Sequence, residues 1–257
     1  MRWTEQDSVS YLIPFWATEG VVMAFSTRLG GVSAGPFAWL NMGGRVGDDP
    51  ANIAENRRRF YRAIRVSNVT YPTQVHGDRI VRLDGLPAAR EQADALVTAV
   101  PGLAVGCMYA DCVPVGLYDP VNRAVAVIHA GWRGTALDIA RKTVEVMRAE
   151  FGSRARDLFG VIAPSIGGCC YQVDDAVRRA MTDADPEYAF AFTPDTPGHY
   201  RCDLQRINQM SLLKAGVREE NIDVSGLCTH CDPRFYSYRR DGRATGRMAL
   251  VACVERI

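Results

Sequence analysis

Histidine is scarce in this 257-residue chain, with four in all: His76, His129, His199 and His230. That excludes a site built from a large cluster of imidazoles. Net charge is almost absent too. Lys and Arg number 30 against 29 Asp and Glu, a formal +1, so no overall field draws nucleic acid or an anionic membrane. No apolar run is long enough to cross a bilayer. The longest, Leu103 to Leu117, is interrupted by Asp111 and contains Pro114, well short of the roughly 20 residues required. The start, MRWTEQDSVSYLIPFW, shows no basic segment followed by an apolar one. A secretory leader is therefore not expected, and a cytoplasmic location is. The eight cysteines, at 107, 112, 169, 170, 202, 228, 231 and 253, are too few for a disulfide scaffold. In a reducing cytosol they are free thiols, available as ligands or nucleophiles.

What is present is ordinary globular material. Hydrophobic residues make up 47% and charged residues 23%, which excludes disorder. No composition break, repeat or low-complexity tract marks a boundary, so residues 1–257 are expected to form one domain. Short β-rich runs predict strands at Val21–Ser26, Arg79–Leu83, Leu103–Tyr109, Val113–Tyr118, Ala124–His129 and Phe159–Ala163. The turn signal Tyr118–Asn122 predicts a hairpin over Val113–His129. Asp49-Pro50 opens one helix, carrying Ile53, Phe60 and Ile64 on one face. A second is expected from Thr135, with Asp138 completing a capping box and Gly152 as its stop. A third is predicted from Asp203 to Gly216, and a short one near Asp174–Met181. Thr193–His199, rich in Pro and Gly, reads as one long surface loop. Mixed order without regular βαβ alternation predicts an α+β fold.

Three residues stand in unusual surroundings. His76 lies in Thr73-Gln74-Val75-His76-Gly77, Cys112 follows Asp111, and His129 ends an apolar strand before Ala130-Gly131-Trp132-Arg133-Gly134. A thiolate and two imidazoles suit zinc, and three ligands with an open fourth position is the catalytic pattern. The spacing matches neither a finger nor a ribbon, so a buried thiol beside two hydrogen-bonded histidines fits it as well. A strand end, a glycine turn and a helix start after His129 would suit an anion, with Arg133 adding a bidentate contact.

The segments TQVHG (73–77), ADCVPV (110–115), HAGWRGT (129–135), IAPSIGGCCYQV (162–173) and FYSYRRDGRATGR (235–247) together resemble the laccase-domain family of the YfiH/YlmD type. So do FSTRLGGVS (25–33) and VGDDPANIAENRRR (46–59). The resemblance covers nearly the whole chain in order. It implies a zinc site made by His76, Cys112 and His129, with copper as a possible substitute. It implies an αββα-type sandwich similar to the catalytic domain of cytotoxic necrotizing factor toxins. It also implies an enzyme of purine nucleosides, phosphorolysing adenosine, inosine, guanosine and methylthioadenosine and deaminating adenosine. Ala163, Gln172 and Asn41-Met42-Gly43 depart from the usual pattern, which touches substrate preference and not the ligand set.

Each reaction needs its own help. Deamination needs activated water and a carboxylate to move protons, for which Asp111 beside Cys112 is the nearest candidate; a turn or ligand-orienting role suits it equally. Cys112 and His76 complete the expected catalytic set. Phosphorolysis needs an anion site. Arg28, beside Gly30-Gly31, and Arg45, Arg133, Asn41 and Gln74 are the expected substrate contacts. The expected partners are purine nucleosides and phosphate, without nucleic acid or membrane, and the enzyme is expected as a monomer or small homo-oligomer. Three other readings stand beside this one. Cys112 with a histidine base would make a hydrolase, for instance one editing peptidoglycan precursors. A His₂Cys set can mimic blue copper, although a multicopper oxidase needs far more imidazoles than this chain has. A catalytically silent scaffold would not require all three ligands. Cys228-Thr229-His230-Cys231 looks like a ligand cluster without a second pair, which a redox dithiol or no role at all fits as well, and Cys169-Cys170 looks like a tight turn near the active site.

Overall fold

The structure is a computed structural model that describes residues 1–18 and 20–256. Its strands, in chain order, are β1 (Arg2–Gln6), β2 (Val9–Ile13), β3 (Val21–Ser26), β4 (Val69–Thr70), β5 (Ile80–Arg82), β6 (Ala95–Thr98), β7 (Ala104–Tyr109), β8 (Val113–Asp119), β9 (Ala124–Ala130), β10 (Phe159–Ile162), β11 (Gln172–Asp174), β12 (Phe192–Pro194), β13 (His199–Cys202), β14 (Ile222–Val224) and β15 (Met248–Val254). The helices are α1 (Pro50–Ala63), α2 (Trp132–Ala136), α3 (Ile139–Phe151), α4 (Asp175–Ala184), α5 (Leu204–Lys214) and α6 (Tyr238–Asp241). One six-stranded sheet has the order β1-β2-β3-β15-β7-β4, a second the order β14-β10-β8-β9-β6-β5, and β11-β13-β12 make a small third. Most neighbours are antiparallel, while β4–β7, β5–β6 and β10–β14 are parallel. This is the mixed α+β arrangement expected.

Alternation along the central strands shows how the layers stack. In β9, Ala124, Ala126 and Ile128 face a core shared with α3 and α5, while Val125 and Val127 face the other sheet. In β15, Met248, Leu250 and Ala252 meet that same inter-sheet core, and Ala249, Val251 and Cys253 pack with Phe60 and Ala63 of α1. The layers are thus helix, sheet, sheet, helix. Strands covered on both faces need apolar residues at every position, which is why β8, β9 and β15 are buried throughout. The two-residue period puts His129 on the same face as Val125 and Val127, at the strand's end.

Several elements follow local chemistry closely. Asp49 caps α1 through the Ala51 N–H, with Pro50 at the first helical position. Gly152, at φ 72°, ends α3. Asp203 and Asp174 cap α5 and α4. Others correct the sequence reading. The helix expected from Thr135 begins at Trp132 and breaks at Asp138, whose φ of 58° is left-handed. Asp138 makes no capping bond; its carboxylate instead meets Arg141 and Ser211. Thr193–His199 is exposed as expected, but its ends pair as the β12–β13 hairpin. β1, β2, β4, β6, β11, β14 and β15 were not anticipated.

Gly116, midway along β8, shows how tightly the strand is packed. A Cβ there would lie 2.6 Å from Sδ of Met23 in the facing sheet and 2.9 Å from Cγ1 of Val161, its neighbour on β10 of the same sheet. The methionine tip can swing away, but the branched valine cannot. We expect Gly116→Ala to cost about 1–3 kcal/mol through overpacking, read as a lowered urea midpoint. An unchanged midpoint would show that the inter-sheet layer has slack.

Candidate active site

The structure gathers His76, Cys112 and His129 at one end of the sheets. Their ligand atoms all lie within 4.8 Å of one another. The two imidazoles meet edge to face, with ring centres 4.8 Å apart. Each residue reaches this point by a different route. His129 rides on the last turn of the pleat in β9. Cys112 sits in the three-residue link between β7 and β8, where Asp111 turns the chain at φ 88°. His76 lies in the loop before β5 and is itself left-handed, at φ 60°, a conformation unfavourable without supporting contacts.

That support is Asp94, which the sequence reading missed. It is fully buried at the start of β6. Its carboxylate accepts the backbone N–H groups of Val75 (3.2 Å), His76 (3.0 Å) and Gly77 (2.8 Å). Consecutive N–H groups converging on one anion form a nest. The same carboxylate lies 2.8 Å from His129 Nδ1. Asp94 therefore fixes the His76 loop and the His129 ring together. Occupying Nδ1 leaves Nε2 to face Cys112, the arrangement usual for metal-binding histidines. Burial alone would raise the Asp94 pKa, but His129 and the backbone donors outweigh it and hold the carboxyl below its ordinary value. Burial likewise works against a charged Cys112 and a charged His129. Their mutual attraction, with Asp94 and His76 adding to it, lowers the thiol and raises the imidazole. Gly131 completes the cradle: a Cβ there would stand 3.3 Å from both Cys112 Sγ and His76 Cδ2. One soft thiolate, two imidazoles and an orienting carboxylate fit zinc, and they fit copper on donor chemistry.

The triple opens into a cavity of about 980 Å³, at the upper end of the roughly 300–1,000 Å³ range of ligand pockets. Five arginines line it: Arg45, Arg57, Arg90, Arg239 and Arg247. Tyr71, Tyr109, Tyr171 and Tyr238 line it as well. Among the described residues, Asp111 is the one carboxylate in the wall. Arg57 donates to the Met42 carbonyl and lies over the Tyr71 ring. Arg247 donates to the Thr245 and Gly246 carbonyls and is half-buried; burial lowers its pKa.

The expected substrate contacts divide. Arg45 and Gln74 line the cavity, although the Gln74 amide is committed to the Met108 backbone at 2.7 and 2.9 Å. Arg28 does not reach it. Its guanidinium lies over the Trp39 and Tyr236 rings and donates to the Ala38 carbonyl. Asn41 is buried behind the wall, where its amide oxygen accepts from the Gly43 and Arg247 N–H groups, both at 2.9 Å. It thereby holds two residues that do line the cavity. Arg133 is exposed, stacks on Trp132 and stays outside. The five-residue α2 offers no anion site. Asp111 accepts from the Thr229 hydroxyl (2.7 Å) and the Arg239 N–H (2.6 Å), so both carboxylate oxygens are engaged. Arg57, Arg90, Arg239 and Arg247 were missed because each is remote in sequence from the three residues, and Tyr71 and Tyr109, though near His76 and Cys112, because an aromatic there reads equally well as core. Asp94 did carry a signal: a carboxylate inside the apolar run Ala93–Val97 must have a buried partner.

Among the described residues, no helix is long and apolar enough to cross a membrane. Residues 22–255 match the family model described as multi-copper polyphenol oxidoreductase laccase. A purine nucleoside phosphorylase of Bacillus subtilis, YlmD, is 37% identical over 240 residues, 89% of this chain and 86% of that protein. One from Mycobacterium tuberculosis is 39% identical over 233 residues, 90% of each. The crystal structure of a Bacillus licheniformis hypothetical protein, YfiH, superposes with a TM-score of 0.92 at 36% identity, covering 98% of this chain and 99% of that one. The family model and these relatives cover almost the whole chain, and the chain belongs to this laccase-domain family, alongside relatives named purine nucleoside phosphorylases.

Proposed function

We propose that the whole chain is one zinc-dependent enzyme domain of the cytoplasm. It would phosphorolyse adenosine, inosine, guanosine and methylthioadenosine, and deaminate adenosine to inosine. The observation that carries this reading is the His76–Cys112–His129 triple opening into an arginine- and tyrosine-lined cavity. Those three residues would hold the metal, with copper as a competitor for the same donors. Zinc bound there supplies Lewis-acid charge that makes water a competent nucleophile near neutral pH.

The remaining chemistry falls to the chain's own groups. Phosphorolysis breaks the bond between the base and the ribose C1′ as a phosphate oxygen bonds to that carbon. The cavity arginines suit the phosphate, since guanidinium groups bind its oxygens in pairs. Tyr171 and Tyr238, each with an arginine over its ring, line the cavity and would be the stacking partners of a flat base. Deamination adds water at C6 of adenine and expels ammonia, so protons must be moved. Asp111, as the carboxylate in the wall, remains the residue proposed for this. It can act only when Thr229 or the Arg239 N–H releases one of its oxygens. Otherwise its work is to position Arg239.

A second reading has its own observation. Cys112, His129 and Asp94 stand as thiol, imidazole and orienting carboxylate, the order of parts in a thiol hydrolase. In that case Cys112 would attack an acyl or amide carbon directly.

One experiment separates them. The purified protein is assayed with adenosine and phosphate, with bound zinc and copper quantified and Cys112→Ala in parallel. We expect adenine and inosine from the wild type, and loss of both activities with one equivalent of metal in the variant. Turnover that survives chelation, with rapid alkylation of Cys112, would favour the thiol hydrolase. Asp94→Asn should lower metal affinity or activity by about 10–100-fold, checked by zinc competition titration. An unchanged affinity would mean that the nest and the His129 contact are merely structural.

A further inference from the structure

A second set of donors lies outside the cavity. Cys169, Cys170, Cys228 and Cys231 bring four sulfurs within 4.8 Å of one another. Cys170 and Cys231 are 3.3 Å apart, Cys169 and Cys231 3.7 Å. With Zn–S bonds of about 2.3 Å, the edge of a regular zinc tetrathiolate is about 3.8 Å. The backbone prepares the site further. The Gly167 N–H is directed at the Cys228 sulfur, at 3.2 Å. A donor of this kind stabilises a thiolate. Two guanidinium groups brace the same loops: Arg240 holds the Thr229 and His230 carbonyls, and Arg201 the Cys169 carbonyl.

We propose that these four cysteines form a structural zinc site, separate from the His76–Cys112–His129 triple. Four soft ligands with no open position suit a closed site and not a catalytic one. Binding would release the thiol protons to solvent and add one cross-link between two loops far apart in sequence. Both loops reach the cavity. Tyr171, adjacent to Cys170, lines it, and Thr229 holds Asp111. A disulfide is the competing use of these sulfurs. Cys170 and Cys231 are the nearer pair and Cys169 also has Cys228 within reach, so oxidation to disulfides would consume the donors that a metal needs.

The test begins with the full chain, purified without chelator and analysed for metals. We expect about two zinc per chain in the wild type, about one in Cys112→Ala and about one in Cys228→Ser/Cys231→Ser. Cobalt loading of Cys112→Ala supplies a readout that does not depend on the folding of the double variant. The strong visible band of a four-sulfur cobalt centre is expected there. Four results would overturn the proposal: zinc content unaffected by Cys228→Ser/Cys231→Ser in a folded protein, no such cobalt band, iron in place of zinc, or a non-reducing mass short of the hydrogens of a disulfide. Loss of zinc from Cys112→Ala alone bears on the active-site reading and leaves this one intact.

Discussion

The site depends on one buried carboxylate. Asp94 accepts three successive backbone N–H groups and faces His129 Nδ1. A carboxylate taken out of water costs several kcal/mol unless charge and hydrogen bonds offset it. Here the donors are supplied by the very segments whose geometry matters. The loop carrying His76 can hold its left-handed residue because its N–H groups converge on an anion. The His129 ring can turn only Nε2 toward Cys112, because Nδ1 is taken. One interaction therefore sets the position of His76 and the orientation of the His129 ring, which in turn lowers the Cys112 thiol.

The sheets make that arrangement rigid. β9 is buried on both faces, so His129 stands at the end of a strand that cannot shift without disturbing two cores. β7 and β8 flank the short link that carries Cys112. The helix layer then brings in charge from elsewhere. Of the arginines clustered on α1, Arg58 and Arg59 pair with Glu55, and Arg62 with Asp7. Arg57 alone of these turns to the cavity. A chain with net charge near zero thus carries a locally cationic pocket, because the acidic partners of its arginines lie outside the cavity wall.

This explains what the sequence could and could not disclose. The strand Val21–Ser26 and the caps at Asp49, Asp203 and Gly152 are written in local chemistry and were legible. The grouping of His76, Cys112 and His129 was legible through the family resemblance; spacing alone left a buried thiol beside two hydrogen-bonded histidines as an equal reading. Arg28 was misassigned because an arginine beside glycines looks the same whether it meets a ligand or two aromatic rings. Asn41 is related to the site through the Gly43 and Arg247 backbones, a link no sequence spacing expresses. β15 escaped notice although it lies between β3 and β7. A short apolar run has no period to distinguish a doubly covered strand from a buried helical turn.

The cysteine loops give the cavity a second anchor. Asp111 hydrogen-bonds to Thr229 on one side and to the Arg239 backbone on the other. Arg240, next in sequence, holds the Thr229 and His230 carbonyls. Arg239 itself donates to the Gln172 carbonyl and lies over the Tyr171 ring. These contacts close a circuit from the Cys112 link, through the Cys228–Cys231 loop, to the Cys169–Cys170 loop and back to the cavity wall. Apolar packing holds these loops as well: Phe235 and Tyr236 belong to the inter-sheet core, Leu227 packs against it, and Tyr171 packs against the core beneath the helices. Asp111 and Cys112 share one three-residue link, so whatever joins the four sulfurs bears, through Thr229 and Asp111, on the placement of Cys112.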